Sequence, residues 1–342
     1  MKKTLAALAA AVALSLAVGG CGSGSASSDV EPATNLDAET RKLVDEAKAA
    51  GPVTLYGMIE ESALRRIASD FEARYGVEVE SVRLVSGDLS QRFSTEAAGG
   101  ENRADLIMLT DSPFYDDALK NGWITSFADA DLPAMADDLP KEAYAHDGAT
   151  PIVGFVPTKL VYNTDAVEQA PADWKAYADP KFKGEILLAE PDSSPADIAF
   201  WSLMRQEYGD GFLRRIAANG PRVSGGAVPG TQAVAAGEAD LGFPGVEPVV
   251  AVLKERGAPI ELAAPSPTTG PEVGLGLAAN SPNPAGAKLL AAYLMSKQGN
   301  LDFNETASQI SPFDTGAMTG FTRISDIELS GSAELKSLLG VG

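Results

Sequence analysis

Five short segments of this 342-residue chain carry residue types that capture a small polar solute: Tyr56-Gly57-Met58, Ser86-Gly87-Asp88, Thr110-Asp111-Ser112, Asp192-Ser193-Ser194 and Ser224-Gly225-Gly226. Four of the five hold a serine beside a predicted helix start. The first backbone N–H groups of a helix have no partner within it, and the positive end of its dipole lies behind them, so hydroxyls and amides placed there suit an anion. A single serine in such a position more commonly caps its helix. Recurrence at successive strand ends is what points to a ligand. Asp111, Asp192 and Glu247 add carboxylates able to hold a cationic group or a metal, although most such side chains are solvated or form caps. Tyr162 and Asn163 lie on a predicted extended segment, where the phenol either faces a cleft or packs in the interior.

Catalytic constellations are not expected. The sequence holds no G-x-S-x-G elbow, no H-E-x-x-H, no G-x-x-x-x-G-K-[ST] loop and a single cysteine. Gly274-Leu275-Gly276-Leu277-Ala278-Ala279 matches a dinucleotide fingerprint formally, but it lacks a following helix start and reads as a glycine-rich strand. A Ser-His-Asp triad would require His146, the one histidine, which sits in an AHDG turn that nothing ties to a serine. A secreted hydrolase is the alternative from another class.

The elements that must position these loops alternate. Leu36 to Ala50 has helical spacing and stops at Gly51-Pro52; Val53–Gly57 reads as a buried strand and Glu61 to Tyr75 as an amphipathic helix ended by Gly76. Strand Val77 to Val85, a turn at Ser86 to Asp88 and helix Leu89 to Ala98 repeat the unit. Strand Ala104 to Thr110 and the segment Asp111 to Gly122 repeat it again. Strand, loop and helix in succession give βα units on a parallel sheet. From Thr150 the chain reads as extended, with Pro151 and Pro157 arguing against helix. A second α/β set follows in Gly184 to Glu190, Ala196 to Tyr208, Pro221 to Gly225, Thr231 to Ala236 and Ala239 to Pro244. Ile260 to Ala264 and Val273 to Ala279 then read as strands returning to the first set, with helix Ala285 to Met295 packed on it.

Lys2 and Lys3 followed by an apolar run from Leu5 to Val18 form a signal peptide over residues 1–20, too short to span a bilayer. It ends in Val18-Gly19-Gly20-Cys21, which resembles the bacterial lipobox, so Cys21 is expected to carry a lipid and residues 21–35, rich in Gly, Ser and Ala, to form a flexible tether. A mature part of about 320 residues exceeds what one core usually holds, which favours two lobes. Without Lys2 and Lys3 the formal charge is −22, with carboxylates spread along the whole chain. This excludes nucleic acid as an expected partner and describes a solvated acidic surface.

Four stretches carry a resemblance to the extracytoplasmic solute-binding proteins of ABC importers, in the branch of ferric-iron and small-anion binders. They are VTLYG with the helix ending FEARYGVEVE, ADLIMLTDSPFYDDALKNGWI, LVYNTDAVEQAPADWKAYADPKFKGEILLAEP, and NSPNPAGAKLLAAYLMSKQGN. The resemblance implies an α/β, type II periplasmic-binding-protein fold. Each lobe is then a mixed sheet flanked by helices, residues 36–155 plus 265–342 form lobe one and 156–264 lobe two, and two crossover strands make the hinge. It also implies a monomer without cofactor or catalytic residues that closes on a solute and delivers it to a permease and its ATPase. Iron-binding relatives carry two adjacent tyrosines near the segment that here reads Phe243-Pro244-Gly245-Val246-Glu247, without that pair. A small organic anion, such as a phosphonate, phosphate ester or carboxylate, is therefore preferred to ferric iron. Service to a sensor in place of a permease stays open.

Overall fold

The structure, a computed structural model, describes residues 30–110 and 113–342. The expected signal peptide, Cys21 and the first part of the tether lie outside the described residues, as do Asp111 and Ser112.

The first half runs α1 (Ala38–Ala50), β1 (Val53–Gly57), α2 (Glu61–Tyr75), β2 (Val79–Arg83), α3 (Ser86–Ala98), β3 (Leu106–Thr110), α4 (Pro113–Lys120), β4 (Ile124–Thr125), β5 (Tyr144–Ala145) and β6 (Thr150–Phe155). The second continues β7 (Lys159–Asn163), β8 (Ile186–Leu188), α5 (Pro195–Tyr208), α6 (Asp210–Ala218), β9 (Arg222–Val223), α7 (Ala227–Ala235), β10 (Leu241–Gly245), α8 (Glu247–Glu255) and β11 (Ile260–Ala263). The chain then gives β12 (Glu272–Ala278), α9 (Pro284–Met295), α10 (Lys297–Thr306), α11 (Thr315–Met318) and α12 (Ser332–Leu339). No helix among the described residues is long and apolar enough to cross a membrane.

Two sheets result, ordered β2-β1-β3-β12-β6-β5, with β4 beside β12, and β11-β7-β10-β8-β9. Alternation along each strand sends side chains to opposite faces, and both faces are covered by helices. Leu55, Leu106 and Met108 enter one core of lobe one, while Tyr56, Ile107 and Leu109 enter the other. Leu160 and Tyr162 divide from Val161 in the same way in lobe two.

The two sheets are built to one plan. In lobe one β1 pairs β2 and β3 in parallel, then β12 and β6 follow antiparallel. In lobe two β8 pairs β9 and β10 in parallel, then β7 and β11 follow antiparallel. The chain passes between lobes reciprocally: β6, the outer member of its group, leads to the inner strand β7, and β11 leads back to the inner strand β12. The connections pair with each other. The Val156 N–H donates to the Pro271 carbonyl at 2.8 Å, the Thr158 N–H to the Thr269 carbonyl at 3.0 Å, and Thr268 Oγ1 to the Thr158 carbonyl at 2.9 Å.

To these two crossover strands the structure adds a third connection. Ile310 exchanges backbone hydrogen bonds with Phe155 at 2.8 and 2.9 Å, and Thr268 does so with Gly320 and Thr322 at 2.8 Å. Arg323 then holds the buried Glu272 carboxylate, with Nη2 at 2.6 Å from Oε2, before the chain enters lobe two. There Ile327, Leu335, Leu338 and Leu339 pack into that lobe's core with Trp174 and Phe212. The end of the chain, expected within lobe one as part of 265–342, thus packs in the second core. The apolar face of α12 needs burial, and α5 and α6 supply the matching surface.

Sequence spacing also misplaces two helix starts. The Ser86-Gly87-Asp88 segment, read as a turn, is the first turn of α3, and α7 begins at Ala227 and not Thr231. Pro229 lies in the first turn of α7, where proline removes an N–H that has no partner in any case.

Gly270 is the tightest point of the hinge, since a Cβ there would lie 2.1 Å from the Val156 carbonyl oxygen. Because that neighbour is backbone within the crossing pair, Gly270→Ala must spread the two segments. The expected loss of stability is roughly 1–3 kcal/mol, read as a lower urea midpoint. An unchanged midpoint would show that the crossing segments do not need this close approach.

Candidate functional site

The carboxyl ends of β1, β2 and β3 lie at the edge where the crossing segments enter lobe one, because Thr110 at the end of β3 stands opposite Val273 at the start of β12. Lobe two repeats this, with Gly245 at the end of β10 opposite Lys159 at the start of β7. Loops from both lobes therefore border one cleft beside the hinge. The common strand plan ranks them by distance from it: Thr110 against Val246-Glu247, Gly57-Met58 against Asp192-Ser193-Ser194, and Val85-Ser86 against Val223-Ser224.

In lobe one Ser86 Oγ accepts from the Thr110 N–H at 3.1 Å and donates to Thr110 Oγ1 at 3.0 Å. This pins the start of α3 to the end of β3. Val85, the residue before α3, gives no side-chain cap, so the first N–H groups of that helix rely on partners from outside it. Gly87 and Asp88 are exposed in the first turn. Gly57 is set by packing, since a Cβ would lie 2.5 Å from Leu64 Cδ2.

In lobe two the β8 to α5 loop closes on a buried carboxylate that sequence reading missed. Ser193 Oγ and Ser194 Oγ each donate to Asp197 Oδ2 at 2.8 Å, and Ser194 Oγ accepts from the Asp197 N–H at 3.1 Å. The signal was present as Ser194-Pro195-Ala196-Asp197, the spacing of a capping box. Both hydroxyl protons are thus spent inside the protein, and what these serines turn outward is their oxygen lone pairs. Ser224 behaves alike, with Oγ donating to the Gly226 carbonyl at 3.0 Å and the Leu188 carbonyl at 3.3 Å. Gly225 is exposed beside it. Neither α7, after Gly226, nor α8, after Val246, has a side-chain cap.

Two expected residues stand away from these loops, and a third, on its loop, is already engaged. Tyr56 is fully buried beneath α3, its hydroxyl donating to Glu96 at 3.0 Å under the Arg92 guanidinium, and burial followed by the bond to Glu96 pushes the phenol above its ordinary pKa of 10. A phenol held protonated in this way is a poor ferric ligand. Tyr162 is buried in the lobe two core, toward the far end of β7, so its ring packs in the interior and does not meet the cleft. Asp192 is taken by α12, with Ser332 Oγ at 2.6 Å and Lys336 Nζ at 2.8 Å, and these partners lower its pKa.

Glu247, at the start of α8, is neutralised by Lys159, whose Nζ lies 2.5 Å from Oε2. Lys159 is a second residue that sequence reading missed. The pair lines a cavity of about 330 Å³ with Lys254, Glu261 and the end of β11. Among the described residues no three His, Cys, Asp or Glu side chains converge as metal ligands do. His146 bonds Asp116 through Nδ1 at 2.6 Å.

Burial, opposed by the two serine hydrogen bonds, holds the Asp197 carboxyl above its ordinary 3.8. Its favourable contribution is therefore full below that value and is lost as pH rises through the raised pKa. Asp197→Asn does not titrate. Its melting temperature should gain on the wild type as pH rises through this range, whereas Asp197→Ala, which strips both serines of their acceptor, should cost roughly 1–3 kcal/mol. Melting curves over a pH series check both, and a pH-independent gap between Asn variant and wild type would contradict the assigned desolvation.

Residues 66–320 match the model of the bacterial extracellular solute-binding proteins. A curated relative, an uncharacterised protein of Haemophilus influenzae, is 25% identical over 264 residues, covering 74% of this chain and 75% of its own length. Among solved structures, iron-bound HitA from Pseudomonas aeruginosa is 18% identical, with 85% of this chain and 98% of that one covered and a TM-score of 0.59. The periplasmic binding protein AfuA from Actinobacillus pleuropneumoniae, with fructose-6-phosphate bound, is 22% identical over 85% and 97%, with a TM-score of 0.56. The substrate-binding protein of an ABC transporter from Agrobacterium tumefaciens reaches 0.63 at 16% identity over 84% and 94%. Identities this low carry the fold alone, a two-lobed type II periplasmic binding protein. The family match covers most of the folded part, and the chain belongs to the bacterial extracellular solute-binding protein family.

Proposed function

We propose that this chain is the substrate-binding lipoprotein of an ABC importer, that it captures a small organic anion in the cleft, and that it hands the solute to a permease served by an ATPase. One observation carries the choice of an anion: α3, α7 and α8 begin at the cleft without side-chain caps. The first N–H groups of α3, and those of α7 and α8 other than at Pro229 and Pro248, suit the oxygens of a phosphate, phosphonate or carboxylate. The lobe two serines complement this by accepting hydrogen bonds from ligand hydroxyls. HitA holds iron and AfuA a sugar phosphate, so relatives of one fold span both chemistries. Here Tyr56 and Tyr162 are buried away from the cleft and Glu247 is paired with Lys159, which favours the anion.

In this reading lobe one comprises 36–155 and 265–323, lobe two comprises 156–264 and 324–342, and a lipid on Cys21 holds a monomer outside the membrane. Bond-breaking is no part of the role. Cys21→Ala should release the protein from the membrane fraction, and retention there would contradict the anchor.

A thermal-shift series on the full chain carrying Cys21→Ser tests the ligand class. A solute at about 100 times its dissociation constant adds roughly 2.7 kcal/mol of stability. Fructose 6-phosphate, glycerol phosphate, alkylphosphonates or citrate should supply at least one such rise, with ferric iron alone giving none. A rise with Fe3+ accompanied by a visible charge-transfer band would establish the iron reading in its place.

A further inference from the structure

The loop that carries two of the lobe two serines is acidic by sequence. Ala189 to Asp197 holds Glu190, Asp192 and Asp197 and neither lysine nor arginine. Asp197 is buried and spent on Ser193 and Ser194, which leaves two carboxylates on the loop where the proposed anion is received. Like charges at such range oppose a ligand of the same sign. A counter-charge has to come from another element.

It comes from the end of the chain. Lys336 of α12 places Nζ 2.8 Å from Asp192 Oδ1 and 3.1 Å from Glu190 Oε2, so one ammonium stands between both carboxylates. Glu190 Oε2 is out of water and accepts no hydrogen bond, which leaves the ammonium as its compensation. Ser332, one turn earlier, donates to Asp192 Oδ2 at 2.6 Å. The helix that presents these groups is fixed independently of the loop: Leu335, Leu338 and Leu339 are buried in the lobe two core, and Glu334 pairs with Arg205 at 2.8 Å. The Lys336 side chain is 28% exposed, against 60% and 64% for Lys175 and Lys181 in local surface pairs. Its hydrogen bonds to Asp192 and Glu190 push its pKa above the ordinary lysine value, so it is cationic at neutral pH.

We propose that Lys336 is a positioning residue for solute capture, one that makes the Glu190–Ser194 loop receptive to an anion by acting through Glu190 and Asp192. With the ammonium in place the three groups carry one net negative charge, and without it the loop presents two. The C-terminal helix is then part of the binding machinery as well as a cover for the lobe two core. This deepens the anion reading and rests on it for its purpose, while the electrostatic effect itself is measurable without a solute.

A thiol on the loop reads that effect. Ser193→Cys on the full chain with Cys21→Ser gives a single cysteine. Its reaction rate with an anionic disulfide, dithiobis(nitrobenzoate), is divided by its rate with neutral iodoacetamide, which cancels differences in exposure and thiolate fraction. At low ionic strength Lys336→Met should lower this ratio at least roughly threefold, and the gap should vanish in about 1 M salt, where charges are screened beyond about 3 Å. Lys336→Arg should keep the parent ratio, and Lys336→Met combined with Glu190→Gln and Asp192→Asn should restore it. Ser332→Ala, which loosens the same contact without changing charge, should leave it as in the parent. An unchanged ratio in Lys336→Met, a loss that the two amide substitutions do not reverse, or an equal loss in Ser332→Ala would overturn the proposal. Because no solute is added, these results do not turn on whether a phosphate ester raises the melting point: the expected ratios with no rise from any anion would sink the anion reading and leave the charge compensation standing.

Discussion

Val156–Thr158 and Thr269–Pro271 hydrogen-bond to each other where the chain passes between its lobes, and the cleft follows from where these segments enter each sheet. An outer strand of one lobe feeds an inner strand of the other in both directions, so neither lobe can be built without a segment that comes from its partner. The carboxyl ends of the parallel strands are thereby brought to the crossing edge, where helices begin and backbone N–H groups face outward. Gly270 is needed because the two backbones run closer there than any side chain permits. A pair held by so few hydrogen bonds can twist while each core stays packed, which is the mechanical condition for closing on a solute.

The third connection limits that twist. The segment from Ile310 to Arg323 lies along the same crossing, and Arg323 grips Glu272 with side chains that are 15% and 4% exposed. Removing one partner of a buried ion pair costs about 3–5 kcal/mol, so this contact is far stiffer than the surface pairs elsewhere in the chain. Beyond it α12 ties Lys336 and Ser332 to Asp192, at a loop on the cleft. The C-terminal segment therefore joins the hinge to one binding loop by a path that does not pass through either sheet.

The βα repeats were legible because buried strands such as Val53–Gly57 and amphipathic helices such as Glu61–Tyr75 announce themselves by periodicity. The strand ends followed from them, and with them the placing of Ser86, Thr110, Ser193, Ser194 and Ser224 at or beside those ends. What periodicity does not encode is direction. Tyr56 and Tyr162 occupy strands as expected, yet alternation turns both rings into cores. Asp192 was legible as a loop residue, while its capture by a helix some 140 positions later in the sequence was not. Serine polarity was equally hidden, since whether a hydroxyl turns its proton or its lone pairs outward depends on a neighbour such as Asp197, four residues from Ser193 and buried by packing.

Under the proposed anion reading, a chain with a formal charge of −20 has to hold its solute through short-range contacts. Carboxylates spread over the surface are screened beyond about 8 Å at physiological ionic strength, so most of them contribute little inside the cleft. Three acidic groups on these loops are individually neutralised or tied up: Glu247 by Lys159, Asp192 by Lys336, and Asp197 by burial and two serine protons, while Asp88 in the first turn of α3 is exposed. In that reading the uncapped helix starts outweigh the surface charge, because N–H groups in contact with a ligand act at short range whereas the net charge acts from a distance. The acidic surface then sets solubility and slows encounter with anions, and the cleft alone sets affinity.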